Sequence, residues 1–341
     1  MSVVGDFIYT MGNIGRTEYV IALNRTDGSL AWKTRSGNAY REGQGNGPRG
    51  TPTVADGKVY SLGGNGDLTC CDAKTGDLKW QKNILREYGR KNIVWGISES
   101  VLADDGTVIC TPGGSRASVV ALNAETGRAK WTCKIPGNPQ AGYASPVIAN
   151  VGGVKQYVVF ESQGVVGIRA RDGFGLWGHK QSSNGTANCA TPLVVRNYVF
   201  CSSDYGTGAE LLELRSSSGK TRSRQVYFSK DMKNHHGGMV EVDGHVYGSN
   251  SAILSCVNLK SGRTTWRERG KGSVVYADGK ILFRNENGEV VWFKANSRSF
   301  QQLGRFKQPD RSGRPAWSHP VIVGGKLYLR DMDRLLVYDL T

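Results

Sequence analysis

The side chains best suited to chemistry in this sequence lie in short polar segments, each just ahead of an apolar run. Three of the five histidines belong to this set, and histidine is the usual acid–base or metal-binding residue near neutral pH. Trp95 and Trp317 could offer a platform to a flat ligand, and Glu99 with Asn188 could offer oxygen ligands to calcium. The complete set of candidate ligand-binding residues is Arg49, Trp95, Glu99, Tyr143, Asn188, His235, His236, Lys271, Trp317 and His319.

These residues also have a structural interpretation. A histidine in a glycine-rich loop can serve as a turn residue or a hydrogen-bond bridge, and a tryptophan can pack in the core. The adjacent His235 and His236 are expected to point in different directions, so they do not form a chelating pair by themselves. Glu99 and Asn188 supply far fewer groups than the roughly six to eight oxygens that calcium takes. We therefore predict a binding pocket and no metal site.

A recurring glycine and tryptophan indicate which elements hold these segments. The tryptophan follows a turn glycine by four residues, and a recurrence at about 40 to 50 residues is typical of repeat architectures. The pairs are Gly28/Trp32, Gly76/Trp80, Gly127/Trp131, Gly173/Trp177 and Gly262/Trp266. In another copy Gly219 is kept, but Ser223 stands at the tryptophan position. We expect each tryptophan to pack between neighbouring repeat units.

A second marker precedes the first and defines the strands. An Asp-Gly dipeptide between two β-rich runs predicts a tight hairpin, because glycine adopts positive φ without steric cost. Clear copies are Asp56-Gly57, Asp105-Gly106, Asp243-Gly244 and Asp278-Gly279, and weaker variants bring the number of units to eight. Each unit contains four short strands and no helical periodicity. The sequence therefore predicts an all-β fold, an eight-bladed β-propeller of four-stranded antiparallel blades.

The propeller is predicted to be a single domain over residues 1–341. Its units span approximately 1–35, 51–84, 99–135, 144–180, 190–230, 238–270, 272–306 and 318–341. The last unit ends after its third strand, so we expect the last blade to lack its outer strand. This leaves either an exposed sheet edge or an N-terminally shortened chain, and we favour the second. The candidate residues then lie in the loops that enter each innermost strand, at the predicted channel mouth.

The Thr-Gly-x-x-x-Trp turn resembles the repeat of the pyrroloquinoline-quinone (PQQ) propeller superfamily. The likeness is to bacterial PQQ-binding-like β-propeller repeat proteins, some of them called polyvinyl-alcohol dehydrogenases, and also to the outer-membrane-protein assembly lipoprotein. The segments that carry the likeness are Thr111–Gly114, Asn184–Asn188, Asn234–Gly238 and Arg305–Pro309. A shared fold does not carry function across, because many such propellers bind no cofactor.

The resemblance implies two functions. The first is a non-catalytic binding or assembly scaffold that presents the pocket to a ligand, polymer or protein partner. The alternative is a PQQ- and calcium-dependent oxidoreductase acting on an alcohol or sugar. In that alternative Trp95 or Trp317 would stack on the quinone, and Glu99 and Asn188 would bind calcium. No aspartate can be named as its catalytic base, so we favour the scaffold, and no cofactor is firmly implied.

Two adjacent cysteines, Cys70 and Cys71, test the enzymatic alternative, because catalytic relatives often hold the quinone against a ring formed by such a pair. Successive residues of a strand point to opposite faces of the sheet, so an ordinary strand does not join them. Comparison of the repeats aligns Cys70 with small residues and Cys71 with large apolar ones. We therefore expect both thiols to be free and to pack in the core.

The formal net charge of +15 favours anionic partners. One basic group, Arg215–Arg224, lies in the unit where the tryptophan is missing, but no nucleic-acid motif or interleaved aromatic pattern accompanies it. A protein partner, or an anionic polymer or polysaccharide, is therefore expected rather than nucleic acid. No apolar run approaches the ~20 residues of a transmembrane helix. No signal peptide is visible, and a periplasmic or other extracytoplasmic location is expected from the resemblance alone.

Overall fold

The computed structural model describes residues 1–340, which form 31 β-strands and one short helix. The strands make seven antiparallel sheets of four strands and one sheet of three, and every strand pairs with its neighbour in sequence. This confirms the predicted fold class, an eight-bladed β-propeller whose last blade lacks its outer strand.

The first four sheets contain strands β1 to β16. They are β1 (Ser2–Val4), β2 (Phe7–Ile14), β3 (Thr17–Asn24), β4 (Leu30–Asn38); β5 (Thr53–Ala55), β6 (Lys58–Leu62), β7 (Asp67–Asp72), β8 (Leu78–Asn83), with α1 (Ile84–Tyr88) after β8; β9 (Leu102–Asp104), β10 (Thr107–Cys110), β11 (Val119–Asn123), β12 (Ala129–Cys133); and β13 (Val147–Val151), β14 (Val154–Glu161), β15 (Gly164–Arg169), β16 (Gly175–His179).

The remaining four sheets follow the same order. They are β17 (Leu193–Val195), β18 (Tyr198–Ser203), β19 (Gly208–Ser217), β20 (Lys220–Ser229); β21 (Met239–Val242), β22 (His245–Ser249), β23 (Ile253–Asn258), β24 (Thr264–Arg269); β25 (Gly272–Ala277), β26 (Lys280–Asn285), β27 (Glu289–Lys294), β28 (Gln302–Lys307); and β29 (Val321–Val323), β30 (Lys326–Asp331), β31 (Arg334–Asp339).

The chain divides into two compact units. The first unit comprises Met1–Ile148 and Lys155–Trp177, and the second comprises Ala149–Val154 and the residues from Gly178 onward. The contacts described below lie within one unit or the other.

The Asp-Gly dipeptides form the predicted hairpins between first and second strands. Asp56 and Gly57 have φ values of +48° and +71°, and Asp105 and Gly106 have +45° and +64°. Positive φ at both central residues is the geometry of a type I′ turn, whose twist matches that of the paired strands. The aspartate accepts this conformation more readily than most residues, and the glycine accepts it freely.

Four of the five recurring tryptophans, Trp32, Trp80, Trp131 and Trp266, donate to a carbonyl oxygen of the next blade, as predicted. Trp177 instead donates to Gln156 of its own sheet. Trp80 on β8 donates from Nε1 to the carbonyl oxygen of Ala124 in the next blade at 3.0 Å, and its ring covers Gly127. A Cβ atom at Gly127 would lie 2.8 Å from that ring, so the position needs glycine for space as well as for its φ of +66°. Trp32 and Trp131 make the equivalent bonds, to the carbonyl oxygens of Ala73 and Ala170.

Tyr227 replaces the missing tryptophan of the fifth blade. Its hydroxyl donates to the carbonyl oxygen of Leu259 at 2.8 Å, and its ring lies over Gly262, the turn glycine of the sixth blade. The strands β19 and β20 are ten residues each, so the aromatic position moves away from the turn at Gly219. A fixed spacing of four residues after the turn glycine therefore does not find Tyr227.

Apolar clusters between the sheets form the core. In the first unit, Cys70 belongs to one cluster, with Tyr60 and Val108, and Cys71 belongs to another, with Tyr9 and Val59. Both thiols are free and fully buried, which confirms the interpretation of these cysteines as core residues on opposite faces of β7. Among residues 1–340, no helix has the length and apolarity to cross a membrane.

Candidate functional site

The loops of the second unit bring together His236 and five other polar or aromatic side chains, each in contact with His236 or with another member of the group. We call this group, with His236 itself, the His236 cluster: Tyr205, His235, His236, Lys271, Glu286 and Trp317. The two histidines and Lys271 come from loops that precede the first strands β21 and β25. Trp317 comes from the loop before β29.

The aromatic rings of the cluster form a continuous row. The centroids of Tyr205 and His235 are 5.4 Å apart, and those of His236 and Trp317 are 5.1 Å apart. The centroids of His235 and His236 lie 4.1 Å apart, so the expectation that these neighbours point in different directions is wrong. The two ends of the row are the most accessible part, since Tyr205 is 50% exposed and Trp317 is 38% exposed.

Glu286 joins three loops at one oxygen atom. Its Oε1 accepts a hydrogen bond of 2.7 Å from Nε1 of Trp317 and lies 3.2 Å from Nζ of Lys271. Nε2 of His236 is also 3.2 Å from this oxygen. At the other end of the row, Nε2 of His235 lies 3.2 Å from the hydroxyl of Tyr205. Both rings are thus held by polar contacts although a large part of each residue stays exposed.

The imidazoles of the cluster are neutral at neutral pH. Burial first, and then the neighbouring titratable groups His235 and Lys271, lower the pKa of His236 to about 3. Burial and Lys271 also lower the pKa of His235. The contact between His236 and Glu286 is therefore not an ion pair near pH 7, and the charge of Glu286 is met by Lys271. A neutral imidazole is a hydrogen-bonding group for a ligand rather than a cationic one.

Two other predicted residues of the second unit have local roles. Nε2 of His319 lies 2.8 Å from the carbonyl oxygen of His236, so His319 contacts the backbone of the loop that carries His236. Asn188 is engaged with Asn184, because its Oδ1 accepts from that residue's backbone N–H at 2.9 Å.

In the first unit, Trp95 and Tyr143 form an aromatic pair with ring centroids 5.7 Å apart. Tyr143 also packs against the core cluster of the second and third blades. Arg49 is held by Glu42 at 2.6 Å and lies over the ring of Tyr40, with 4.7 Å between the guanidinium carbon and the centroid. The guanidinium group of Arg49 therefore already contacts residues of its own loop.

Glu99 is a buried acid rather than a rim residue. It is 2% exposed, its Oε1 accepts from the backbone N–H of Thr111 at 2.7 Å, and burial raises its pKa to about 7. Among residues 1–340, its Oε2 has no hydrogen-bond partner. Burial and the charge of Glu99 also raise the pKa of Glu161 well above its usual value.

Tyr205 and Glu286 are the members of the cluster that sequence reasoning missed. Both lie in loops that follow a second strand, β18 or β26, whereas the candidates predicted from the sequence lie in loops before first strands. The loops between second and third strands reach the same cluster in the second unit. The sequence does indicate these loops: the polar, glycine-containing segments Ser203–Gly208 and Asn285–Gly288 are longer than the Asp-Gly turns.

The basic segment Arg215–Arg224 lies on the hairpin of β19 and β20. Glu213 partly neutralises it, because a carboxylate oxygen of Glu213 lies 3.2 Å from Arg215 and the other lies 2.7 Å from Arg224. These contacts favour a solvated hairpin surface, and an anionic polymer partner stays a prediction.

The residues present do not fit the quinone–calcium site of the enzymatic alternative. Cys70 and Cys71 face separate cores, so they cannot form a ring against a quinone. Within residues 1–340 there is no group of three or more His, Cys, Asp or Glu side chains arranged to hold a metal ion. Of the proposed calcium ligands, Asn188 and one oxygen of Glu99 each accept a hydrogen bond from a backbone N–H group.

Comparisons with known proteins agree with this fold. A family model described as "Outer membrane protein assembly factor BamB" matches residues 16–268. Quinohemoprotein alcohol dehydrogenase ADH-IIG of Pseudomonas putida is 32% identical over 150 residues, which are 40% of this chain and 20% of that protein. BamB of Xanthomonas campestris pv. campestris is 33% identical over 107 residues, 31% of this chain and 25% of that protein.

The matched segments thus span a quarter or less of the length of these two curated relatives. The crystal structure of BamB from Moraxella catarrhalis superposes with a TM-score of 0.68 at 15% identity, and covers 96% of this chain and 94% of that one. A likeness at this identity supports the fold alone.

Proposed function

Because the chain belongs to the propeller family described as outer membrane protein assembly factor BamB, we propose that it is a non-catalytic binding scaffold. The His236 cluster is its recognition site, and the partner is a protein segment with apolar side chains. The proposed location is extracytoplasmic, as the name of the family suggests.

One observation carries this proposal: the two exposed aromatic rings at the ends of the row are held in fixed positions. Trp317 is held by Glu286 and Tyr205 is in contact with His235, while 38% and 50% of their surfaces remain accessible. Rigid exposed Trp and Tyr residues are the commonest anchors of protein interfaces, because they bury a large area at a small entropic cost. The repeat tryptophans Trp32, Trp80 and Trp131 pack between sheets instead.

Site-specific photocrosslinking tests this proposal. A photoreactive phenylalanine analogue at position 205 or 317 should capture one discrete protein in the native host. The same analogue at Tyr276, an exposed aromatic position of β25 outside the cluster, should capture none. With the captured protein purified, Trp317→Ala should weaken its binding at least tenfold, which is about 1.4 kcal/mol, and Tyr276→Ala should leave it unchanged. Equal capture from position 276, or full affinity in Trp317→Ala, would contradict the proposal.

The alternative function, an oxidoreductase, is suggested by the sequence likeness to the quinohemoprotein alcohol dehydrogenase. Reconstitution with PQQ and Ca²⁺ separates the two functions. The scaffold predicts neither the absorbance of a bound quinone nor dye-linked oxidation of alcohols or sugars. If both appeared in the wild type and were lost in Trp317→Ala, the protein would be an enzyme and the non-catalytic proposal would fail.

A further inference from the structure

In the second unit, Ser223 occupies the position at which five other blades carry the repeat tryptophan. Tyr227, on the same strand, already provides the ring that lies over Gly262, so Ser223 is not needed for that packing. The partly buried hydroxyl of Ser223 instead lies 2.9 Å from Nε2 of His179, the last residue of β16. A serine hydroxyl in contact with an imidazole is the starting point of an activated nucleophile.

Glu210 lies near the other nitrogen of the same imidazole. Its Oε2 is 3.8 Å from Nδ1 of His179, and the carboxylate is fully buried. Ser182 fixes this carboxylate, because its hydroxyl donates to Oε1 at 2.7 Å and its backbone N–H donates to the same oxygen at 3.3 Å. Among residues 1–340, Oε2 has no hydrogen-bond partner, so it is available to the imidazole.

Strand pairing places Ser223 and Glu210 on the same face of the fifth blade. Ser223 is directly opposite Leu214 of β19, so these two side chains leave the sheet on one face. Glu210 precedes Leu214 by four residues on β19, and the alternation of side chains puts it on that face as well. Leu211, which is opposite Tyr227, lies on the other face. The contacts of Ser223 are therefore separate from the packing of Tyr227.

The buried carboxylate determines which nitrogen of His179 carries the proton. With Glu210 near Nδ1, the neutral imidazole holds its proton on that nitrogen, and Nε2 accepts the hydrogen bond from Ser223. The separation of 3.8 Å is longer than a hydrogen bond, and such contacts often tighten only when a substrate binds. Serine, histidine and carboxylate thus have the arrangement that activates a serine for acyl transfer, which is recognised by geometry rather than by order in the sequence.

We propose that Ser223 accepts an acyl group from activated carboxylic esters, with His179 as general base and Glu210 as the residue that positions the imidazole. Nε2 of His179 takes the hydroxyl proton while Oγ of Ser223 forms a bond to the carbonyl carbon. The bond between that carbon and the leaving oxygen then breaks, and the leaving oxygen receives the proton from His179. The products are an O-acyl serine and an alcohol or phenol.

This acylation site is independent of the binding function proposed for the His236 cluster. One acyl group is transferred to each chain, and the step requires no turnover, so it is compatible with a binding scaffold. Failure of the acylation experiment would leave the proposed recognition site untouched, and failure of the crosslinking experiment would leave the acylation site untouched.

Reaction of the wild type with p-nitrophenyl acetate tests the proposal. Release of p-nitrophenol should accompany acetylation of Ser223, located by peptide mapping with mass spectrometry. Ser217, an exposed serine on the same hairpin, should react roughly 100-fold more slowly, because general-base catalysis contributes at least about this factor. His179→Gln should slow the acetylation of Ser223 by a similar factor. Ser223→Ala should lose this adduct and keep the acetylation of exposed lysines, which serves as an internal reference.

Glu210→Gln tests the positioning role. It keeps an acceptor oxygen for Ser182 and should slow acylation by roughly tenfold or more. Imidazole ¹⁵N shifts, assigned with His179→Gln, should report an unprotonated Nε2 in the wild type and loss of this preference in Glu210→Gln. A merely structural role of the carboxylate would not change the tautomer. His245→Gln on β22 is the matched control and should change neither the rate nor the spectrum of His179.

The wild-type measurements need no variant, so a variant that does not fold leaves them in force, and cooperative urea unfolding is required of each variant whose rate is compared. The proposal is overturned if Ser223 reacts no faster than Ser217, or if the proton of His179 resides on Nε2 in the wild type. Unchanged rates of acylation in both His179→Gln and Glu210→Gln would equally overturn it.

Discussion

Nε1 of Trp317 donates a 2.7 Å hydrogen bond to Oε1 of Glu286, and Trp317 remains 38% exposed. The two residues are 31 positions apart in sequence and come from different loops of the second unit. The same oxygen is 3.2 Å from Lys271 and from His236. Glu286 therefore holds in one position three loops that the sequence presents as separate features.

Replacement of Glu286 should release Trp317. We expect Glu286→Ala to lower the free energy of unfolding by about 1 to 2 kcal/mol, because it removes an acceptor for charge-assisted hydrogen bonds. Glu286→Gln keeps an acceptor oxygen and should cost less. In protein labelled with 5-fluorotryptophan, the ¹⁹F resonance assigned by Trp317→Phe should shift in Glu286→Ala. Glu268→Ala on β24 is the matched control and should leave it in place. An unmoved resonance in Glu286→Ala would show that the bond does not fix the ring.

His236 should make the protein less stable in acid. Its pKa is lowered to about 3 in the folded state, whereas an unfolded histidine titrates near 6.5. Between these values the unfolded chain binds more protons, so this contribution to stability is complete above about pH 6.5 and is lost as the pH falls. The slope can reach about 1.4 kcal/mol per pH unit.

His236→Gln removes this titrating group and tests the direction of its effect on the pH dependence of stability. The stability difference between wild type and variant, from urea unfolding at pH 7.5 and 5.5, should fall by about 1 kcal/mol on acidification. Imidazole ¹⁵N shifts of the folded protein should report a neutral ring at pH 5.5. A ring that is protonated at that pH would refute the burial argument.

The contribution of Glu99 to the stability of the protein should depend on pH in the opposite direction. Burial raises its pKa to about 7 in the folded state from a usual value of 4.5. The folded protein therefore binds more protons than the unfolded chain between these values, and stability falls as the pH rises through this window. Glu99→Gln keeps an oxygen for the Thr111 N–H and never ionises. We expect it to gain about 2 kcal/mol relative to wild type between pH 5 and pH 8. Parallel pH profiles of the two proteins, measured by urea unfolding, would contradict this expectation.

The sequence predicted the features that depend on local geometry. The Asp-Gly turns need positive φ, and the turn glycines need space beneath a ring, so both leave a residue type at a fixed spacing. Alternation along β7 was enough to separate Cys70 from Cys71. These arguments need no knowledge of how distant segments meet.

The composition of the His236 cluster could not be predicted in the same way. Glu286 and Tyr205 lie after second strands, and their contacts with Trp317 and His235 depend on how separate loops converge. Tyr227 was missed for a different reason, because two longer strands move the aromatic position relative to Gly219. A fixed spacing fails where strand length changes, although the packing slot over Gly262 is kept.

Two turn glycines of the first unit allow the packing of a repeat tryptophan to be measured. Gly127 and Gly28 have similar φ values, +66° and +73°. A Cβ at Gly127 would lie 2.8 Å from the Trp80 ring, whereas among residues 1–340 nothing lies within 4 Å of a Cβ at Gly28. Gly28→Ala should therefore cost only the left-handed backbone penalty, about 1 to 2 kcal/mol. Gly127→Ala should cost about 1 to 3 kcal/mol more, because the indole must also move.

A double-mutant cycle isolates the ring from the backbone. In a Trp80→Ala background, the cost of Gly127→Ala in urea unfolding should fall to that of Gly28→Ala, since the added methyl group then has space. The cost of Gly28→Ala should be the same in both backgrounds, because its surroundings do not include Trp80. If Gly127→Ala and Gly28→Ala were equally destabilising in the wild type, the ring would not require the glycine. The recurrence of the pair would then reflect turn geometry alone.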